Sequence, residues 1–422
     1  MVALILAASL LAGNINPDVE REIRERGFAR VIVMMNAPGM PSLTADDFQV
    51  TNRWHHVNGF AGVMHEGAIA KLTGDARVLR VDADSGGSGH LAQSVPMIGG
   101  NLVRAMGHTG YGITVAVLDS GVDLTHPDLR DRIVDQQCFC TNDGGTGCCP
   151  NGQTTQSGAG AAADDHGHGT NVTGIIASNG TVSSPGVAPG VKFVAVKVLD
   201  RFNRFSSTAQ IITALEWLYD HHPEVRVINM SLGTDAAYAG YCDTSNSSTM
   251  AQARIIDLFR ARGTLVFASS GNSASSTVMG APACVRNTTS VGAVYDGNNG
   301  QISFSGVCTD TTTTADQITC FTASNATLDL LAPGAIITSD GRNGSLSSYI
   351  GTSQASPHCA GAASVLLAMQ PQLTPAQIES LLKTTGKPLV DSRNGATITR
   401  IDLAAAVQSV LSGYRRRRSA AH

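Results

Sequence analysis

A chain of 422 residues has room for two or three domains and a large buried core. With 42% hydrophobic and 15% charged residues it reads as an ordinary globular protein, and a formal net charge of −4 argues against a nucleic-acid partner. The single strongly basic run, Arg415 to Arg418, reads as part of a solvated tail, 413–422.

Taken in order, Val2 to Ala12 is apolar, is followed by small residues, and is too short to span a bilayer as a helix. Together with the cysteines it predicts that 1–13 is the hydrophobic part of an export signal, although no basic residue precedes it. Pro17 to Arg26 reads as a charged amphipathic helix, Ala29 to Met35 and Val57 to Met64 as strands, Glu66 to Leu72 as a short helix and Val78 to Val81 as a last strand. This alternation predicts a small α+β domain over 14–91. A Gly/Ser-rich link, Ser85 to Gly89, follows, of a composition that is flexible and open to cleavage.

From Gly112 the pattern becomes α/β. Ile113 to Leu118, Phe193 to Leu199, Val225 to Met230 and Leu265 to Ala268 are near-continuous apolar runs, as expected of strands buried on both faces of a parallel sheet. Helical segments Thr170 to Ala177, Thr208 to Tyr219 and Met250 to Arg262 lie between them. A doubly wound, mostly parallel sheet over 92–412 is the architecture this order predicts.

Nine cysteines are present. Cys138, Cys140, Cys148 and Cys149 crowd one Gly-rich insertion, Gln136 to Gly160, without the paired spacings of a zinc site, so disulfides of undetermined connectivity are expected. Cys242 and Cys284 lie apart, and Cys308 and Cys320 flank a threonine-rich loop. Cys359, among small apolar residues, is expected as a buried free thiol.

In an open α/β sheet, function gathers at the carboxyl ends of the strands. There the sequence places Asp119 after the first strand, Ser231 to Gly233 after the third and Ser269 to Asn272 after the fourth. A buried carboxylate such as Asp119 can fix the tautomer of an imidazole and stabilise the imidazolium formed during proton transfer. No phosphate-cradling Gly motif follows the first strand, which argues against nucleotide binding. His166 and His168, in Asp164-Asp-His-Gly-His-Gly-Thr, compete as base, and His168 directly precedes Gly-Thr and the helix. Metal binding by this Asp/His cluster lacks further ligands at helical spacing. Asn272 offers an amide donor. Ser353, in Gly351-Thr-Ser-Gln-Ala-Ser-Pro-His-Cys-Ala-Gly361, stands ahead of an apolar helical run, Ala362 to Met369, where free N–H groups and the helix dipole stabilise negative charge. A serine hydroxyl needs a base before it can attack.

Four motifs in this order, Asp-Ser-Gly, His-Gly-Thr, Ser-Gly-Asn and Gly-Thr-Ser-x-Ala-Ser-Pro, resemble the subtilisin-like serine proteases, with the similarity running from about Ala92 to about Leu411. The resemblance implies Asp119 as orienting acid, His168 as general base, Ser353 as nucleophile and Asn272 as oxyanion donor. It also implies Leu199, Ser231, Leu232, Gly233, Ser270 and Gly271 as peptide-binding positions, and Gly280 at the floor of a roomy pocket for large apolar side chains before the cut bond. The N-terminal domain resembles the family's inhibitory propeptide, which would act as folding aid and inhibitor until self-cleavage between Leu91 and Ala92. A secreted, monomeric endopeptidase acting on protein or peptide substrates, without nucleic-acid or membrane partners, is the implied whole. Asn171 stands where the family has a histidine and Gln354 where it has a methionine. Gln93, Asp128 and Asn179 match a calcium-binding site of some members, although the loop Asn179 to Val182 is one residue short. No cofactor is implied for catalysis.

Overall fold

The computed structural model describes residues 14–54, 58–83, 91–142, 144–304 and 306–419, the last seven as backbone alone. The apolar segment Val2 to Ala12 and the link Ser85 to Gly89 therefore lie outside the described residues. The chain divides into two compact units between Ser88 and Gly89.

In the first unit, Asn16 caps helix α1 (Pro17–Arg26) by accepting the Asp18 N–H, and Gly27, at φ 80°, ends it in a left-handed turn. Strands β1 (Phe28–Met35), β2 (Phe48–Trp54), β3 (Gly59–His65) and β4 (Val78–Ala83) pair antiparallel in the order β2-β3-β1-β4. Helix α2 (Gly67–Thr73) connects the last two. Val19 and Ile23 of α1 join Val31, Val33, Phe60 and Val81 of the sheet in one core. The strand β2 was not predicted. Only Phe48 and Val50 carry its alternation before the polar Asn52 and Arg53 interrupt it, which an edge strand tolerates.

The second unit is built on a ten-stranded sheet. Its strands in chain order are β5 (Thr114–Asp119), β6 (Ile133–Phe139), β7 (Thr155–Ser157), β8 (Lys192–Lys197), β9 (Val225–Met230), β10 (Leu265–Ser269), β11 (Thr289–Tyr295), β12 (Leu330–Ala335), β13 (Lys387–Val390) and β14 (Thr397–Arg400). In space they run β13-β14-β12-β11-β10-β9-β5-β8-β6-β7. All pairs are parallel except those made by the two edge strands, β13 and β7. Strand β5 is the switch point: the chain first builds outward on its β8 side, then returns to build outward from β9. Strands β11 and β12 were not foreseen, because Gly292, Pro333 and Gly334 within them count against a strand in the sequence.

Helices α3 (His168–Ala177), α4 (Thr208–His221), α5 (Ser247–Ala261) and α6 (Thr352–Met369) confirm the predicted helical segments, with α6 starting well before its apolar run. Helix α6 is buried on every side from Gln354 to Leu367, as a helix through the middle of a domain must be, while Ser353 at its start is only half-buried. The Pro357 ring would ordinarily cost α6 a bond, since residue 357 has no N–H to give Ser353 C=O. The Ser231 hydroxyl donates to that carbonyl instead, at 2.7 Å.

The eight paired cysteines form Cys138–Cys149, Cys140–Cys148, Cys242–Cys284 and Cys308–Cys320, and Cys359 is free and buried, as expected. Burial pushes its thiol well above the usual range, so it is inert.

Candidate active site

Three strand ends and two helix starts converge at the switch point. Asp119, the last residue of β5, is 1% exposed, and its Oδ1 receives the Ser120 N–H at 2.7 Å. His168, the first residue of α3, places Nδ1 2.7 Å from the same oxygen. With Asp119 ionised, Nδ1 carries the proton and Nε2 is left as acceptor, the tautomer a general base needs. Burial would lower the His168 pKa, but the Asp119 charge and hydrogen bond, with help from Asp164, carry it above its ordinary 6.5. Gly169 makes this approach possible, because a β-carbon there would stand 2.1 Å from Gly121 O.

The turn that delivers His168 is organised by a residue whose role the motif reading did not assign. Asp164 Oδ1 accepts the N–H of His166 and Gly167 and the hydroxyl of Ser120, while Oδ2 accepts the N–H and hydroxyl of Thr170. Ser120 in turn accepts the Gly169 N–H at 2.9 Å. The signal was present in the sequence: an Asp four residues before a His-Gly-Thr turn has the reach of such a local network. His166, the rival base, has no carboxylate partner of this kind, and burial together with the neighbouring His168 lowers its pKa.

Ser353 occupies the second position of α6, where its N–H has no helical acceptor. Its hydroxyl donates to Ser231 O at 3.2 Å, and no hydrogen bond joins it to His168 among the described residues. Helices α3 and α6 pack on one another, with Tyr349, just before α6, edge-on to the His168 ring at 5.6 Å between centroids. Below the serine runs a buried polar chain: Asn229 donates to the Ser231 hydroxyl at 3.0 Å, and Ser356 donates to Asn229 Oδ1 at 2.7 Å.

Asn272 is fixed in one orientation. Its Oδ1 accepts both the N–H and the hydroxyl of Thr352, at 2.9 and 3.0 Å, so the amide nitrogen cannot take that place and is left free beside the start of α6. A cleft of about 790 Å³ holds Asn272, Ser353 and all the predicted peptide-binding residues, Leu199, Ser231, Leu232, Gly233, Ser270, Gly271 and Gly280. Gly280 has a further reason to lack a side chain, since a β-carbon there would stand 2.5 Å from Thr234 O.

Of the three residues expected to hold calcium, Asp128 and Asn179 have their side-chain oxygens occupied by protein donors. Asp128 receives the N–H of Thr181, Val182 and Ser183 and the hydroxyl of Ser178. Asn179 Oδ1 accepts the N–H and hydroxyl of Thr181, and Gln93 lies beside Gly297. A carboxylate surrounded by donors has no lone pairs facing a cation, so Asp128 as arranged here does not fit calcium. His126, Asp128 and Asp340 are all buried, with ligand atoms within 4.8 Å of one another. Both His126 nitrogens are engaged, Nδ1 by the Asp128 N–H and Nε2 by Ser345 O. Burial, with Asp128 adding to it, pushes Asp340 up to about 8, so at neutral pH Asp340 holds a proton and the pair keeps one negative charge, on Asp128.

An aspartate–histidine pair at the switch point of a parallel α/β sheet, with a serine at the start of the helix packed on the histidine's helix, is the kind of arrangement a serine hydrolase uses. The profile of the subtilase family matches residues 110–401. Subtilisin amylosacchariticus of Bacillus subtilis subsp. amylosacchariticus is 33% identical over 356 residues, covering 82% of this chain and 79% of its own. Subtilisin BL of Lederbergia lenta is 36% identical over 304 residues, covering 71% and 93%. The crystal structure of a cold-adapted subtilisin-like serine proteinase matches with a TM-score of 0.51 at 25% identity, covering 69% of this chain and 89% of that one. The chain belongs to the subtilase family and is a serine endopeptidase.

Proposed function

We propose that Ser353, deprotonated by His168, attacks a peptide carbonyl to form an acyl-enzyme that water then hydrolyses. Asp119 holds His168 in its tautomer and stabilises the imidazolium, and the Asn272 amide with the Ser353 N–H receives the developing oxyanion. The observation that carries this reading is the 2.7 Å contact between Asp119 Oδ1 and His168 Nδ1, which leaves Nε2 as the acceptor. The reading requires the Ser353 hydroxyl to turn from Ser231 O to His168 Nε2. The substrate lies extended in the cleft beside Leu199 and Ser231 to Gly233, main-chain bonds giving affinity and pockets giving selectivity. Large apolar residues before the cut bond suit the volume near Gly280.

The first unit serves as a propeptide that assists folding and blocks the site, and self-cleavage between Leu91 and Ala92 releases a secreted monomer. Four disulfides favour an oxidising compartment, and no described helix is long and apolar enough to cross a membrane. A fluorophosphonate probe tests the reading: a single adduct on Ser353, lost in His168→Ala, is expected. Labelling that persists undiminished in that variant would refute it. N-terminal sequencing of the processed protein checks the junction, and a start before Ser85 or after Pro96 would exclude it.

A further inference from the structure

A second cavity, of about 480 Å³, opens beside the catalytic histidine and is lined by His166, Asp200, Arg201, Phe202 and Arg204. Arg204 lines both this cavity and the cleft that holds Ser353, so the two adjoin. The charges of this cavity are unevenly committed. Asp200 Oδ1 accepts the N–H groups of Phe202 and Arg204 at 2.9 and 3.0 Å, which shapes the loop. Nearby Asp165 is ion-paired to Lys197 at 2.6 Å. Neither Arg201 nor Arg204 is ion-paired among the described residues, and both are exposed. The Arg201 guanidinium lies over the Phe202 ring at 4.8 Å, which holds its plane while leaving its N–H edge for a ligand.

We propose that this cavity selects an acidic side chain at the second residue before the cut bond, an inference that rests on the endopeptidase reading above. Successive side chains of an extended peptide point to opposite sides. With the residue before the cut bond directed toward Gly280, the one preceding it turns away from Gly280, and Arg204, which lines both the cleft and the second cavity, marks where that side chain can enter the cavity. A planar guanidinium pairs with a carboxylate through two parallel hydrogen bonds, and an amide or ammonium in the same place cannot replace that pairing.

Three peptides that differ only in carrying Glu, Gln or Lys at that position test the proposal on the active protein. The expected order of kcat/KM is Glu, then Gln, then Lys, with about tenfold between Glu and Lys, since two exposed charge pairs contribute a few-fold each. The preference should shrink in high salt. In the Arg201→Glu, Arg204→Glu double variant the order should invert, Lys above Glu. Equal rates for Glu and Lys, or an order unchanged in the variant, would overturn the proposal. Cleavage of the Gln peptide by the unsubstituted protein separates that failure from failure of the endopeptidase reading. Were no peptide cut at all, both would fall together.

Discussion

Gln354 Nε2 donates to Asn171 Oδ1 at 3.4 Å, joining the residue after the nucleophile to the helix that carries the base. Asn171 also donates to the carbonyl and hydroxyl of Ser347, at 3.0 and 3.1 Å. These two positions are the ones that depart from the resemblance in the sequence, and in the structure they form one pair: a polar side chain on α3 is answered by a polar side chain on α6. Both are buried, and the contact gives Asn171 Oδ1 a donor and Gln354 Nε2 an acceptor.

Removing either partner should therefore cost stability beyond lost packing. Gln354→Ala and Asn171→Ala are each expected to lower unfolding free energy by about 1–3 kcal/mol, the cost of an unsatisfied buried polar group. A double-mutant cycle by urea unfolding should show a coupling of about 1 kcal/mol. Strictly additive losses would mean the pair is incidental. Gln354→Met should also make activity sensitive to peroxide, since it restores an oxidisable thioether beside Ser353.

Asn272→Ala removes the oriented amide while leaving Thr352 and the cleft walls in place. The expected result is a fall in kcat of about 10²–10³-fold with KM little changed, on a scale carried over from a subtilisin's oxyanion donor. A loss expressed mainly in KM would assign Asn272 to ground-state binding instead.

Activity should fall on the acid side as His168 takes up a proton. Because the folded-state pKa is raised above 6.5, the acid limb of kcat/KM should lie above that value. Asp119→Asn leaves burial without its opposing charge, so the limb should move to lower pH, and kcat should drop by about 10⁴-fold because the tautomer is no longer fixed. An acid limb that stays in place in this variant would detach Asp119 from His168.

Asp128 is tied to four protein donors, so its contribution to stability should not depend on calcium. Asp128→Asn is expected to lower the melting temperature by the same amount in calcium and in a chelator, through loss of bonds to ionised oxygens. A difference that appears only when calcium is present would show the metal at this carboxylate.

Much of the site could be read along the chain because its chemistry is carried by short local motifs. An apolar run ending in Asp119, a glycine turn opening into His168, and small residues around Ser353 each encode a strand end or helix start, and local sterics dictate such features. Helix α1 and strand β9 were legible for the same reason, through caps and periodicity. What the sequence could not determine were relations between distant residues. The pairing of Cys138 with Cys149 depends on where the insertion folds back. Proline 357 looks like a helix stop until Ser231, far away in the chain, supplies the missing bond. The shared oxygen between Asp119 and His168, the donors that close on Asp128, and the adjoining of Asn171 and Gln354 all follow from strand order, which sets β5 between β8 and β9. Burial then makes every unpaired polar group costly, so the tertiary arrangement alone decides which partners meet.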